Sequence, residues 1–368
     1  MSECTLGTIC RYRTDSAPID QLPYVSTESM RPNKKGVITN EAAPSVGKAR
    51  LFRKGDTLVS NIRPYFKKIW QAEYDGCCSA DVLVFDPHGC DSDYLYWLLS
   101  DDAFFAYMVA SSKGTKMPRG DKDAIMRYKV RRQSAAEQRH LAAALNPIRE
   151  LIRINQHTND YLLEQAKAIF RHWFVSGEAV CTTIKYEMQE IATISAGGDK
   201  PSVCESVSQP DCCIPIYSNG IDNEGLYGYT AAPKIVEPSV TVSARGTIGY
   251  TCLRRKPYYP IVRLISATPK KLVTAEYLYL WLLNTSIVGV GTTQQQLTVP
   301  MFKLYSVDVP AEADLARFSE LVNPLFDAID ANKAECIKLA ELRDALLPRL
   351  MSGEIDLSKV AIECERLP

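Results

Sequence analysis

The chain has 368 residues, 46% of them hydrophobic, which is more than one ordinary core needs and fits two or three domains. Its 43 basic and 43 acidic residues cancel, which excludes a non-specific polycation but leaves a localised basic surface open. No run of about 18 apolar residues occurs, so no membrane-spanning helix and no membrane partner are expected.

In chain order, Leu58-Val59-Ser60 and Asp81-Val82-Leu83-Val84-Phe85 read as strands bounded by turns such as Asp86-Pro87-His88-Gly89. Asp93 to Leu99 reads as a short helix that turns its Leu and Trp side chains inward. Ser134 with Glu137 three residues later forms a capping-box pattern that opens a helical region over 134–174. Pro147 is expected to interrupt it, so that a short helix precedes a long one. From there the apolar positions fall at Ile148, Leu151, Leu162, Ile169 and Trp173, and Asn155 stands where an apolar seam residue belongs. Ser239-Val240-Thr241-Val242-Ser243 reads as a strand running into the turn Arg245-Gly246. A second helical region covers 312–347 with Leu325, Asn332, Leu339 and Leu346 each seven apart, and Pro348 should end or kink it. A single Asn in such a seam lowers stability and fixes register.

The chain nearly repeats itself. Asp93-Tyr94-Leu95-Tyr96-Trp97-Leu98-Leu99 returns as Glu276-Tyr277-Leu278-Tyr279-Leu280-Trp281-Leu282-Leu283. Asn146-Pro147-Ile148 returns as Asn323-Pro324-Leu325, and Ser176-Gly177-Glu178 as Ser352-Gly353-Glu354. The offsets are 183, 177 and 176 residues, far beyond a solenoid unit of roughly 20 to 50. The expected organisation is therefore a head at 1–132, a helical region at 133–178, a second head at 179–311, a second helical region at 312–356 and a tail at 357–368. The fold class is α+β, with two mixed heads joined by two long helices as an antiparallel coiled-coil spacer. Two helices of about 27 residues span roughly 40 Å, close to one turn of B-DNA at about 34–36 Å. Two reading heads suit a target with two separated parts, and double-stranded DNA is the expected partner.

Catalytic motifs are missing. There is no Gly-rich phosphate loop and no His-Glu-x-x-His. Asn323-Pro324-Leu325-Phe326 resembles the tetrapeptide of amino-methyltransferases, but the second Pro is absent and the segment lies in a helical repeat. His172 beside Trp173 reads as a packing residue. The twelve cysteines show no metal-ligand spacing, since the adjacent pairs Cys77-Cys78 and Cys212-Cys213 cannot form a CxxC knuckle. With no signal-peptide pattern at Met1-Ser2-Glu3-Cys4, free thiols and a cytoplasmic location are expected.

The DNA-facing candidates are basic and aromatic. Residues Lys113 to Arg132 hold eight Lys or Arg against two Asp. In the first head the candidates are Arg63, Tyr65, Lys67 and Lys68 after a strand, and Lys113, Lys116, Arg119 and Lys122 in a basic loop. In the second head they are Tyr217-Ser218-Asn219, Arg245, and the uncharged loop Thr292-Thr293-Gln294-Gln295-Gln296. Arg and Lys neutralise phosphates and Arg pairs with guanine, whereas Gln suits adenine.

Taken in this order and twice over, these marks resemble the specificity subunits of type I restriction-modification systems across essentially the whole chain. Ala166-Lys167-Ala168-Ile169-Phe170-Arg171-His172-Trp173-Phe174-Val175 is similar to the end of the family's central conserved helix. Leu346 to Ile355 is similar to its C-terminal conserved end. Gly55-Asp56-Thr57-Leu58-Val59-Ser60 and Arg245-Gly246-Thr247-Ile248-Gly249 resemble strand-turn marks of its target recognition domains. The resemblance implies a non-catalytic reader of an interrupted DNA site in a bacterium or archaeon. It implies that two methyltransferase subunits dock on the helices and that restriction subunits join them. It places S-adenosylmethionine, ATP and Mg on those partners, with no cofactor or metal on this chain. The first head departs from the pattern, with Arg63-Pro64-Tyr65 where the second has its Arg-Gly turn. Two other readings stay open: a protein-binding scaffold, and a methyltransferase remnant, against which the duplication argues.

Overall fold

The computed structural model describes residues 3–19, 22–38, 47–176, 182–287, 289 and 296–355. The chain forms two compact units, Met1–Asn155 with Ala334–Pro368, and Gln156–Lys333. Both long helices, Ala135–Phe174 and Glu312–Ser352, contribute to both units. No described helix is long and apolar enough to cross a membrane.

The head of the first unit is built on a four-stranded antiparallel sheet. Its order is Cys10–Tyr12, Val82–Pro87, Thr57–Ser60, Ile69–Gln71. The expected strands are present. All four residues of Thr57–Ser60 are buried, because both faces of the sheet are covered. Successive side chains divide between those faces. Val59, Leu83 and Phe85 enter the core shared with the helices, while Leu58, Val82 and Val84 pack with Val25, Phe52 and Trp70. A smaller sheet runs Ser16–Pro18, Lys48–Phe52, Gly76–Cys78, Tyr24–Val25, and its last pairing is parallel. Glu3–Thr5 pairs with Lys129–Arg131 and clasps the head shut just before the helix begins.

The second unit repeats this plan. Its main sheet runs Ala192–Ala196, Ile265–Pro269, Ser239–Val242, Thr251–Arg254, again antiparallel throughout. Its smaller sheet, Leu226–Thr230, Ile214–Tyr217, Tyr259–Pro260, also ends in a parallel pair. Thr183–Glu187 with Ser306–Pro310 forms the clasp. The motif repeat is thus a repeat of topology. Its clearest sequence mark is a short helix in each head, Ser92–Ser100 and Ala275–Leu283. These are capped by Asp91 and Thr274, and Trp97, Leu99, Tyr277 and Leu278 are buried.

The long helices correct three expectations, the first being their length, which is 40 and 41 residues where the sequence suggests two of about 27. Pro147 does not split the first: Ala135–Phe174 is one helix of 40 residues. Tertiary contacts override the local cost of proline here. Leu145 and Ile148 are buried on either side of it. The Asn146 side chain accepts from Trp97 Nε1 at 2.9 Å and donates to the Asp93 carboxylate at 2.8 Å. Pro348 likewise does not end the second helix, which runs on to Ser352 because Leu347, Leu350 and Met351 are all buried. The Ser134–Glu137 capping box forms as expected, with Ser134 N–H donating to the Glu137 carboxylate at 2.7 Å.

In each unit the two helices pack antiparallel and complete the core. In the first, Leu141, Leu145 and Ile148 share one cluster with Leu347, Leu350 and Met351, and Ile152, Leu339 and Leu346 pack against it. In the second, Phe170 packs on Phe318, as do Trp173 and Phe174, while Leu162, Ile169 and Leu325 line the same core. Leu151, expected to face inward, is 45% exposed, since 148 and 152 already fill that turn's inner face. The polar seam residues find polar partners on the opposite helix: Asn155 donates to Glu335 at 2.9 Å, and Asn332 to Asn159 at 2.9 Å.

Ion pairs of both senses dock each head on its helices. In the first unit Arg149 on the helix meets Asp93 at 3.3 Å. In the second, Arg255 on the head meets Asp327 and Asp330 on the helix at 2.7 and 2.9 Å, and Glu276 at the position repeating Asp93. Lys34, buried in the first head, reaches Asp102 at 2.8 Å and Asp344 at 2.9 Å. In the second head Glu224 pairs with Lys333 at 2.6 Å.

Two outcomes follow from this packing. Phe318→Ala should destabilise the second unit by about 3–5 kcal/mol, read as a lowered denaturation midpoint; a change under about 1 kcal/mol would contradict the aromatic core. Burial works to raise the carboxyls of Asp102 and Asp344, but bonds from Lys34 and Lys67 to the first, and from Arg343 and Lys34 to the second, hold both below their ordinary values. A carboxyl depressed in the folded state adds stability above its unfolded pKa, near 4, and that stability disappears as pH falls through the folded value. The chain should therefore lose stability below about pH 4, and Lys34→Met should flatten the loss. Parallel pH profiles for the two proteins would count against the pairing.

Candidate nucleic-acid interface

Each head ends its central strand in a turn. In the first head Ser60 and Asn61 are buried at the strand end, and Arg63 and Lys67 adopt left-handed backbone at φ 48° and 50° around the 3-10 turn Pro64–Phe66. In the second head Ser243 accepts from Gly249 N–H at 3.0 Å and donates to Tyr250 at 2.9 Å, with Gly246 at φ 72°.

The structure brings together the turn and the loop that the sequence presents separately. Gly120 N–H donates to Asn61 at 3.2 Å and Arg63 N–H to Pro118 at 2.8 Å, so Ile62 and Arg119 form a backbone bridge. Leu297 N–H donates to Ala244 at 3.0 Å in the same way. The close approach explains Gly120: a Cβ there would lie 2.9 Å from Asn61 Oδ1. The matching hydrogen bonds, Gly120 to Asn61 and Leu297 to Ala244, align the two turns. Asn61 matches Ala244, Ile62 matches Arg245, and Arg63 stands where Gly246 stands. The departure in the first head is thus an arginine held in a conformation that its counterpart gives to glycine.

Of the first-head candidates, Tyr65 is 50% exposed and packs on Phe66. Lys67 pairs with Asp102 at 2.8 Å, and Lys68 donates to the Thr27 carbonyl at 2.8 Å and lies over the Phe66 ring. Lys113 is exposed and pairs with Asp121 at 2.6 Å. That pairing, followed by the N–H of Ala124, lowers the Asp121 carboxyl to about 2. Lys116 is exposed. Arg119 pairs with Asp81 at 3.1 Å and is half exposed. Lys122 is exposed at the start of a helix, Lys122–Met126, that Asp121 caps, so the expected loop gives way to helix two residues after Gly120.

In the second head the Arg254 guanidinium stacks 3.5 Å above Tyr217, and burial raises the Tyr217 hydroxyl. Ser218 N–H donates to Gly225 at 2.8 Å. Asn219 is a staple: its Oδ1 accepts from Ala244 N–H at 3.2 Å and its Nδ2 donates to Val262 at 2.6 Å. Arg245 is exposed, with Nε and Nη2 on Gln296 Oε1 at 2.9 and 2.6 Å. Thr292, Thr293, Gln294 and Gln295 lie outside the described residues. Asp81, Lys34 and Arg254 were not singled out in the sequence, because each acts through a neighbour that is distant along the chain.

Residues 184–338 match the family model described as type I restriction modification DNA specificity domain. A Mycoplasma pneumoniae protein named as the C-terminus of a type I specificity subunit is 35% identical over 98 residues, 27% of this chain and 68% of that protein. The chain belongs to the type I specificity subunit family. Another M. pneumoniae protein named as a type I specificity subunit is 33% identical over 159 residues, 43% of this chain. The match spans less than half of that second relative, 44% of its length. A solved type I restriction-modification S subunit from M. genitalium is 17% identical with a TM-score of 0.48, covering 95% of this chain and 96% of that one.

The left-handed arginine of this specificity-family chain yields a test. Arg63→Gly should raise the denaturation midpoint, since a non-glycine residue in this left-handed conformation costs about 1 kcal/mol. A variant that is less stable than the parent would show that the Arg63 side chain supports the fold.

Proposed function

We propose that the chain is the DNA-reading subunit of a type I restriction-modification complex, with one head for each half of an interrupted site. The observation that carries the reading is the repeated junction of strand-end turn and loop. At the same place on the same sheet, each head presents exposed arginine beside other basic or aromatic groups. Arg and Lys there neutralise phosphate, and the guanidinium and amide groups address base edges. Methyltransferase subunits, two of them, dock on the long helices, and restriction subunits join them. S-adenosylmethionine, ATP and Mg belong to those partners, and this chain performs no catalysis by itself.

Methylome sequencing of cells with and without the chain tests the reading: a bipartite methylated motif should vanish when the chain is removed. The helices set the gap in that motif. Seven residues inserted after Asn155, with seven more after Lys333, add roughly 10 Å at 1.5 Å per residue. That is about three base pairs at about 3.4 Å each. The half-sites should keep their bases while the gap grows by about three base pairs. Changed bases with an unchanged gap would defeat the spacer role.

A further inference from the structure

We propose that each head reads a guanine through one arginine held in place by a neighbouring protein acceptor: Arg245 by Gln296, and Arg119 by Asp81. Gln296 and Asp81 are then positioning residues. The inference rests on the DNA-reading function proposed above and names the base that each head demands.

The two arginines occupy one structural place by different routes. Matching the Gly120-to-Asn61 hydrogen bond of the first head with the Leu297-to-Ala244 hydrogen bond of the second aligns Ile62 with Arg245 and Arg119 with Gln296. In the first head the arginine therefore comes from the loop side of the bridge, and in the second from the turn side. A residue-by-residue comparison pairs Arg119 with a glutamine and Arg245 with an isoleucine, and so conceals the shared guanidinium.

Both guanidinium groups are exposed; Arg245 is held along its Nε–Nη2 edge and Arg119 through Nη2 alone. Gln296 Oε1 takes Nε and Nη2 of Arg245, and Asp81 takes Nη2 of Arg119 at 3.1 Å. Asp81 is itself fixed, since its carbonyl accepts from Asn61 N–H at 2.8 Å. A guanidinium carries five N–H donors in a planar fork. Gln296 engages Nε and one Nη2 hydrogen of Arg245 and leaves Nη1 and the second Nη2 hydrogen unused, which together form the end of the fork. That end matches O6 and N7 of guanine. Holding the side chain beforehand removes rotamer entropy that a loose arginine loses on binding.

The acceptors also argue against phosphate as the target. Asp81 beside Arg119 cancels its charge and repels a phosphodiester. Gln296 adds no charge but occupies the donors that would wrap a phosphate. A neutral base edge is the better ligand for both pairs. In this arrangement Gln296 works on Arg245 rather than on an adenine, which was its expected partner in the sequence.

The test uses the full chain in its own cell with its methyltransferase partner, and reads the methylated motif for each variant. Each wild-type half-site should contain a guanine. R245A and Q296A should relax the same single position in one half, by about 10- to 100-fold in preference. R119A and D81A should relax one position in the other half. Q296E and D81N keep an acceptor oxygen and should restore preference at the affected positions; they carry the test if an alanine variant melts well below the wild type. A half-site without guanine overturns the proposal. So does a Q296A effect at a position other than that of R245A, since the glutamine would then read its own base. A D81A chain that binds all sequences more tightly with unchanged preference overturns it as well, because Arg119 would then be a phosphate contact. Loss of the whole chain without effect on methylation fails the function proposed above, a different result from any of these.

Discussion

Neither head closes its own core. The sheet face carrying Val59, Leu83 and Phe85 is covered by the short helix Ser92–Ser100 and by Leu141, Leu145 and Ile148 of the first long helix, with Leu347, Leu350 and Met351 of the second. The other head depends in the same way on Ala166, Phe170, Phe318, Val322 and Phe326. The helices are therefore a wall of each head as well as a connector. Apolar burial of this kind is the dominant favourable term in folding, and it fixes where each sheet sits on its helices. The orientation of every turn that leaves the sheet follows from it.

Polar contacts refine that placement. The Trp97–Asn146–Asp93 chain with Arg149 fixes one head's register on its helix, and Arg255 with Asp327, Asp330 and Glu276 fixes the other's.

Much of this was legible in the sequence. The repeat of Asp93-Tyr94-Leu95 in Glu276-Tyr277-Leu278 located the short helices, and the strands expected at Leu58–Ser60 and Asp81–Phe85 are Thr57–Ser60 and Val82–Pro87 in the structure. The Pro147 expectation failed because propensity is local, whereas Asn146 is held by residues about 50 positions away. The candidate site was half legible. Residue type pointed to the turn at Arg63 and to the loop at Lys113–Arg119. Nothing along the chain announced that Ile62 and Arg119 would pair, or that Asp81 would sit beside them, since those contacts depend on how the loop returns across the head. The equivalence of Arg63 and Gly246 was equally hidden, because it appears in φ rather than in side-chain chemistry.

The division of the chain also sets an order of assembly. Residues 156–333 are contiguous, so that unit holds all its parts as soon as they leave the ribosome. The other unit needs residues 334–355 to cover Leu141, Leu145 and Ile148, and these are made only after the whole of the contiguous unit. Domains usually fold in the order of synthesis, the N-terminal one first. Here the N-terminal head is made first and finished second, with an apolar flank uncovered while nearly two hundred residues are added. During that interval the emerging chain presents a surface that a chaperone, or the helix of a neighbouring nascent chain, can occupy.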